Sequence, residues 1–222
     1  MGPQHHFSGT TPFKICCAIL ASFLITSASI CSGQGQPGDW AWMGGSQTVV
    51  LAPGQCPDSY AGDYGTEFEF SPQSEPSPRQ GAVTWTGKNG FLYLFGGYGA
   101  DEAGSCGALN DLWAFDPKQG EHGEWAWMGG GPFMNQAGQA PNYYEFADGN
   151  IPGARMWAGA AADPSGKVWL FGGEKVDEFD PYLNDLWVFD PGRGAHGEWA
   201  RFFDVGPETC QNTYKCGRLA TS

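Results

Sequence analysis

The chain has 222 residues, with 24 acidic against 11 basic side chains, a formal net charge of −13, 35 glycines and 10 tryptophans. The acidic balance excludes a nucleic-acid binder, which needs clustered Lys and Arg to meet phosphates. At 41% hydrophobic and 15% aromatic residues, the chain is too apolar for a disordered acidic polymer. Abundant glycine beside abundant Trp, Phe and Tyr predicts an all-β protein of short strands joined by many turns.

The first element in chain order is an address. Residues 1–14 are polar with one cation, Lys14; an apolar run from Ile15 to Leu24 follows, then the small residues Thr26, Ser27, Ala28 and Ser29. That order predicts a secretory signal peptide over about residues 1–33, cleaved after Ala28 or near Gly33, and hence a secreted, extracellular or periplasmic protein. The run is shorter than the roughly 20 residues that span a bilayer, and no later segment is more apolar, so no membrane span is expected once the signal is removed. Export implies an oxidising compartment. Cys56, Cys106, Cys210 and Cys216 then remain, and four cysteines allow three pairings. The short loop from Cys210 to Cys216, within a tail over 206–222, points to one bridge and leaves Cys56 with Cys106. Cys-x-x-Cys is absent, so no structural zinc is expected.

A strand is predicted at 40–43, followed by two sets of four: about 81–86, 91–95, 110–115 and 124–128, then about 157–162, 167–171, 184–189 and 198–203. Gly87-Lys88-Asn89-Gly90 and Asp163-Pro164-Ser165-Gly166 separate the first two strands of each set, a hairpin signal. Asp116-Pro117 and Asp190-Pro191 stop the third strands. The two sets are repeats. Arg79 to Gly97 matches Arg155 to Gly173, displaced by 76 residues (155 − 79) without a gap. Leu109 to Pro117 (LNDLWAFDP) matches Leu183 to Pro191 (LNDLWVFDP), displaced by 74 (183 − 109). His122-Gly123-Glu124-Trp125 recurs as His196-Gly197-Glu198-Trp199, and Trp40 to Gly45 recurs as Trp125 to Gly130.

A strand ending in Gly-Gly, then Leu-Asn-Asp-Leu-Trp, then a Trp strand resembles the kelch repeat, and the chain from about 38 to 205 is similar to secreted bacterial-type kelch proteins with extended loops. The resemblance implies four-stranded antiparallel blades of a β-propeller, related to the central domain of galactose oxidase. Blades would span about 79–128 and 155–203, with 40–43 as an extra strand. Trp113, Trp187, Trp125 and Trp199 would pack between blades, and the glycine pairs would end the second strands. Two blades do not close a propeller of four to eight. Either the chain is a segment of a larger propeller, or copies self-associate to close one, or an open stack persists.

Strand parity sends the long connections, about 44–79, 96–109, 129–154 and 172–183, to one face. They hold more than half of the acidic residues with few basic ones. Loops on a rigid scaffold carry function, so Tyr98, Asp101, Glu102, Tyr143, Tyr144, Glu174, Asp177, Asp180 and Tyr182 are the candidate ligand contacts. The acidic face suits basic partners, while Asp177-x-x-Asp180 is too sparse for a calcium loop. Galactose oxidase-like enzymes bind copper through His and Tyr. After signal removal only His122 and His196 remain, at equivalent repeat positions beside the Trp strand on the short-loop face, where they read as turn residues; no copper, other cofactor or catalytic set is expected. The sequence therefore reads as a non-catalytic binding module for protein or carbohydrate. The alternatives are a segment of an extracellular carbohydrate oxidase or lyase, and a structural cell-surface protein.

Overall fold

The computed structural model describes residues 61–179 and 181–203. The signal segment, the strand at 40–43, the tail at 206–222, Asp180 and the cysteines other than Cys106 lie outside the described residues. Among the described residues nine strands follow one another: β1 (Arg79–Gln80), β2 (Val83–Thr86), β3 (Leu92–Ala100), β4 (Cys106–Asp116), β5 (Glu124–Gly129), β6 (Gly159–Ala162), β7 (Val168–Glu174), β8 (Tyr182–Asp190) and β9 (Glu198–Phe203). They form two antiparallel sheets, β1 and β2 beside β3-β4-β5, and β6-β7-β8-β9. β1 and β2 both pair with β3 and are one strand broken at Gly81, whose φ is +67°. The predicted hairpins are present: Gly90 N–H donates to the Gly87 carbonyl at 2.9 Å, and Gly166 N–H to the Asp163 carbonyl at 2.9 Å. The Asp-Pro turns form because Asp116 and Asp190 accept the N–H of Lys118 and Gly192 two residues on.

One expectation is corrected. The glycine pairs do not end the second strands: β3 continues to Ala100 and β7 to Glu174. Gly96 and Gly97 have φ of +63° and +99°, Gly172 and Gly173 +63° and +102°. Each pair forms a bulge where the register shifts, between Phe95 and Gly97 and between Phe171 and Gly173. A Cβ on Gly97 would lie 2.9 Å from the Gln80 carbonyl oxygen, and one on Gly173 2.7 Å from that of Met156, so glycine lets the neighbouring strand approach. The expected loops 96–109 and 172–183 thereby shrink to 101–105 and 175–181.

The sheets pack face to face. In β3, Tyr93 and Phe95 point to one face with Val83, Trp85 and Ala114, as the cross-strand partners require. That face meets Val168, Leu170, Trp187, Phe189 and Trp199 of the second sheet in one buried cluster. Phe95 and Trp199 ring centroids are 5.3 Å apart, and Tyr93 and Phe189 5.7 Å apart. Of the four tryptophans expected in the core, Trp113, Trp187 and Trp199 are buried, whereas Trp125 is half-buried against Phe115 at 5.1 Å.

Each unit carries the same buried ion pair. Arg79 grips Asp111 through both terminal nitrogens, at 2.5 and 2.9 Å, and donates to the Gly96 carbonyl at 3.2 Å. Arg155 grips Asp185 at 2.6 and 2.8 Å and donates to the Gly172 carbonyl at 3.0 Å. The indoles of Trp113 and Trp187 donate to the same carboxylates at 2.8 and 2.7 Å. Bidentate pairing plus an indole donor compensates the loss of hydration that isolates such charges from water. The arginine thus ties the glycine bulge to the Asn-Asp-Leu-Trp strand in both units.

Candidate functional site

The connections before each sheet are structured, which the sequence blocks did not predict. Phe68 N–H donates to the Trp127 carbonyl at 2.7 Å, and Ser71 N–H to that of Trp125 at 3.1 Å. In the second unit Tyr144 N–H donates to the Arg201 carbonyl at 2.8 Å, and Ala147 N–H to that of Trp199 at 3.4 Å. These segments lie along the outer edges of β5 and β9, covering strands that would otherwise present open edges. Their bases are closed by matched bridges, Asp63 with Glu75 and Gln139 with Ile151. Phe68 and Tyr144, equivalent positions, both adopt left-handed φ, +68° and +63°. The repeat therefore begins near residue 61. The signal was present: Ala61-Gly62, Glu69-Phe70, Pro76 and Arg79 match Ala137-Gly138, Glu145-Phe146, Pro152 and Arg155. It was too dispersed to stand out among variable residues.

Folding the connections back along the edges builds a cleft of about 270 Å³, lined by Glu67, Phe68, Asn110, Asp148, Asn150, His196 and Trp199 among others. The walls are fixed. Asn110 donates to the Pro152 carbonyl at 3.2 Å and accepts from Gly131 N–H at 3.0 Å. Asn150 donates to the carbonyls of Glu145 and Trp199, at 2.9 and 3.0 Å. His196 stacks flat on Phe68, with centroids 3.8 Å apart and planes within 10°. Burial, then the charge of Asp148, push the Glu67 carboxyl above its usual range, and His196 partly opposes them. His196 was expected on the face opposite the acidic loops; the returning connection brings Glu67 and Phe68 to it. His122, its equivalent, is exposed, 3.9 Å from Glu121. Among the described residues no group of three His, Cys, Asp or Glu side chains could hold a metal ion.

The predicted contact residues end in different surroundings. Tyr98 lies within β3, paired with Gln80 and Ala108. Asp101 is 3% exposed and accepts the N–H groups of Ala103, Ser105 and Met134, so it holds the turn together instead of presenting an open carboxylate, while Glu102 beside it is exposed. Tyr143 and Tyr144 are exposed along β9, with the Arg201 guanidinium 4.3 Å from the Tyr143 ring and Phe202 5.3 Å from Tyr144. Glu174 and Tyr182 pair across the ends of β7 and β8, with Tyr182 exposed. Asp177 accepts the Phe179 N–H and lies 3.3 Å from Lys175. Phe179, on the same connection, is the most exposed large apolar side chain among the described residues and was not predicted as a contact.

A second cavity, of about 420 Å³, borders the buried ion pair of the second unit, with Arg155, Asp185, Trp187, Lys175 and Arg201 in its wall. No helix among the described residues is long and apolar enough to cross a membrane. No family model matches the chain, and no curated protein matches it.

Proposed function

We propose that this chain is a secreted segment of a kelch-type β-propeller that works as a non-catalytic recognition module, binding protein or carbohydrate through its connecting loops. The observation that carries the reading is a duplicated, ion-pair-locked scaffold that holds exposed aromatic side chains, Tyr143, Tyr144 and Phe179 on connections and Tyr182 at the start of β8, next to acidic groups. Aromatic rings with polar tips give large contact area at low ordering cost. Screening the secreted chain against immobilised glycans and basic peptides tests it. Tyr144→Ala and Tyr182→Ala should each weaken capture of the best binder by about tenfold, the cost of an interface anchor. Unchanged capture by both would remove these loops from the binding surface.

The propeller itself is supported by how the two units stack. Phe95 is 0% exposed against the second sheet, but its repeat equivalent Phe171 is 54% exposed. Val168 is 1% exposed, and its equivalent Leu92 on the first sheet 43%. The two outer faces are thus the two halves of the interior interface, and a head-to-tail contact between copies would reproduce it. Closure at four to eight blades needs two to four copies. Light scattering should then show a discrete oligomer. Phe171→Glu and Leu92→Glu should each give monomers, and their mixture a one-to-one dimer. A wild-type monomer at high concentration would leave the missing blades to another chain.

One observation favours a catalytic alternative, a carbohydrate-active enzyme: Glu67, Asp148 and His196 share the cleft, and burial and Asp148 push the Glu67 carboxyl above its usual range. Turnover of a glycan that Glu67→Gln abolishes would establish it.

A further inference from the structure

Beside the ion pair the two units differ at two positions: Tyr64 and Trp127 of the first stand where the second has Ala140 and Arg201. In the first unit Tyr64 sits beside the ion pair: its hydroxyl donates to Asp111 Oδ2 at 2.8 Å, and its ring lies 5.0 Å from Trp113 and 5.5 Å, edge-on, from Trp127. The matched bridges at Asp63–Glu75 and Gln139–Ile151 fix the register of the second unit, so the equivalent of Tyr64 is Ala140. There the phenol is missing, and the 420 Å³ cavity opens beside the equivalents of its partners, Asp185, Trp187 and Arg201. The carboxylates register the difference. Asp111 is fully buried, whereas Asp185 is 13% exposed. Asp111 Oδ2 accepts from Arg79, Trp113 and Tyr64; Asp185 Oδ2 accepts from Arg155 and Trp187.

We infer that the second cavity is a binding site for a phenol ring, the tyrosyl side chain of a partner polypeptide, seated as Tyr64 is seated in the first unit. The hydroxyl would donate to Asp185 Oδ2 and the ring would lie against Trp187. Arg201, standing where Trp127 stands in the first unit, donates to the Ala140 carbonyl at 3.2 Å and holds its guanidinium 4.3 Å from the Tyr143 ring; as part of the cavity wall it would add a cation–π contact to a seated phenol. The hydroxyl is the selective element, because a carboxylate built to accept a hydrogen bond discriminates against an analogue that lacks the donor. Of the loop contacts proposed above, Tyr144 and Tyr182 are not in the cavity wall, and Tyr143 meets it only through Arg201; the site lies at the ion pair and stands whether or not the chain belongs to a propeller.

The test uses the full chain with N-acetyl-tyrosinamide as probe, followed by ligand-observed NMR and calorimetry. Saturable binding is expected, with N-acetyl-phenylalaninamide weaker by about tenfold or more. Asp185→Asn should erase that preference. Ala140→Tyr should supply the phenol that Tyr64 supplies in the first unit, take up the Asp185 acceptor and abolish probe binding. If that variant does not fold, Trp187→Phe provides the second check and should weaken both probes. The inference is overturned if the tyrosine probe does not saturate, if it binds no better than its phenylalanine analogue, or if a methyl glycoside saturates the site while the tyrosine probe does not. Loss of glycan or peptide capture in the Tyr144→Ala and Tyr182→Ala variants, with probe binding intact, would keep the two sites distinct.

Discussion

The first and second sheets share strand order, bulges, turns and ion pairs, yet equivalent side chains end in different surroundings. Phe95 and Phe171 stand at one repeat position, and one is core while the other faces outward. Trp199 is enclosed by Trp85, Phe95 and Phe189, while Trp125 has Phe115 for company and is half-buried. Asp111 is sealed by a tyrosine and Asp185 borders a cavity. The comparison separates what a repeat unit builds for itself from what it receives from a neighbour. Hydrogen-bonded features recur because they lie within a unit. Burial recurs at some positions, such as Trp113 and Trp187, and not at others, because it depends on what packs against each face.

The two units should differ most when their carboxylates are removed. Asp111→Ala strands Arg79 without a counter-charge and should cost about 3–5 kcal/mol in urea unfolding. Asp185→Ala should fall at the lower end of that range, because water can reach the deserted Arg155 through the cavity. Equal losses would mean that the cavity is closed in solution. Next come the tryptophans. Trp199→Ala should cost about 3–5 kcal/mol as a core truncation, and Trp125→Ala about 1–2 kcal/mol. A full-sized loss at Trp125 would show its face to be covered in solution.

A smaller effect is expected at the bulges, where the units should agree. Gly97→Ala and Gly173→Ala each force a side chain into positive φ beside a carbonyl oxygen, at roughly 1–3 kcal/mol. A difference between them larger than their errors would show that the neighbouring sheet, and not the strand itself, sets the bulge.

The smallest effect is a pH dependence. Burial raises the Asp185 carboxyl, but the hydrogen bond and charge of Arg155, with the Trp187 indole, outweigh it and hold the carboxyl below its ordinary value of 3.8. The folded chain therefore binds this proton less readily than the unfolded one. The contribution is fully present above pH 3.8 and fades as the pH falls through the lower folded value. Asp185→Asn should flatten that part of the acid limb, read from melting temperatures between pH 5 and 2. An unaltered limb would assign it to other carboxylates.

Much of the architecture was legible because it is local. Strand positions followed from alternation between turn signals, and the hairpins from Gly87 to Gly90 and Asp163 to Gly166 lay where turn chemistry put them. The glycine pairs were read correctly as positive-φ positions and incorrectly as strand ends, since a bulge and a terminus make the same demand on the backbone. The connections at 61–78 and 137–154 looked like free loops because their partners, the edges of β5 and β9, are some fifty residues away in sequence and are met through main-chain groups that any side chain permits. For the same reason His196 was placed away from Glu67.

Periodicity and turn residues act over a few bonds, so an all-β chain of repeated antiparallel units could be read without coordinates. Which faces are buried, which connections line the sheet edges and which of two equivalent carboxylates borders a cavity depend on the approach of distant backbone and on side chains, Tyr64 or Ala140 and Trp127 or Arg201, that carry no local signature.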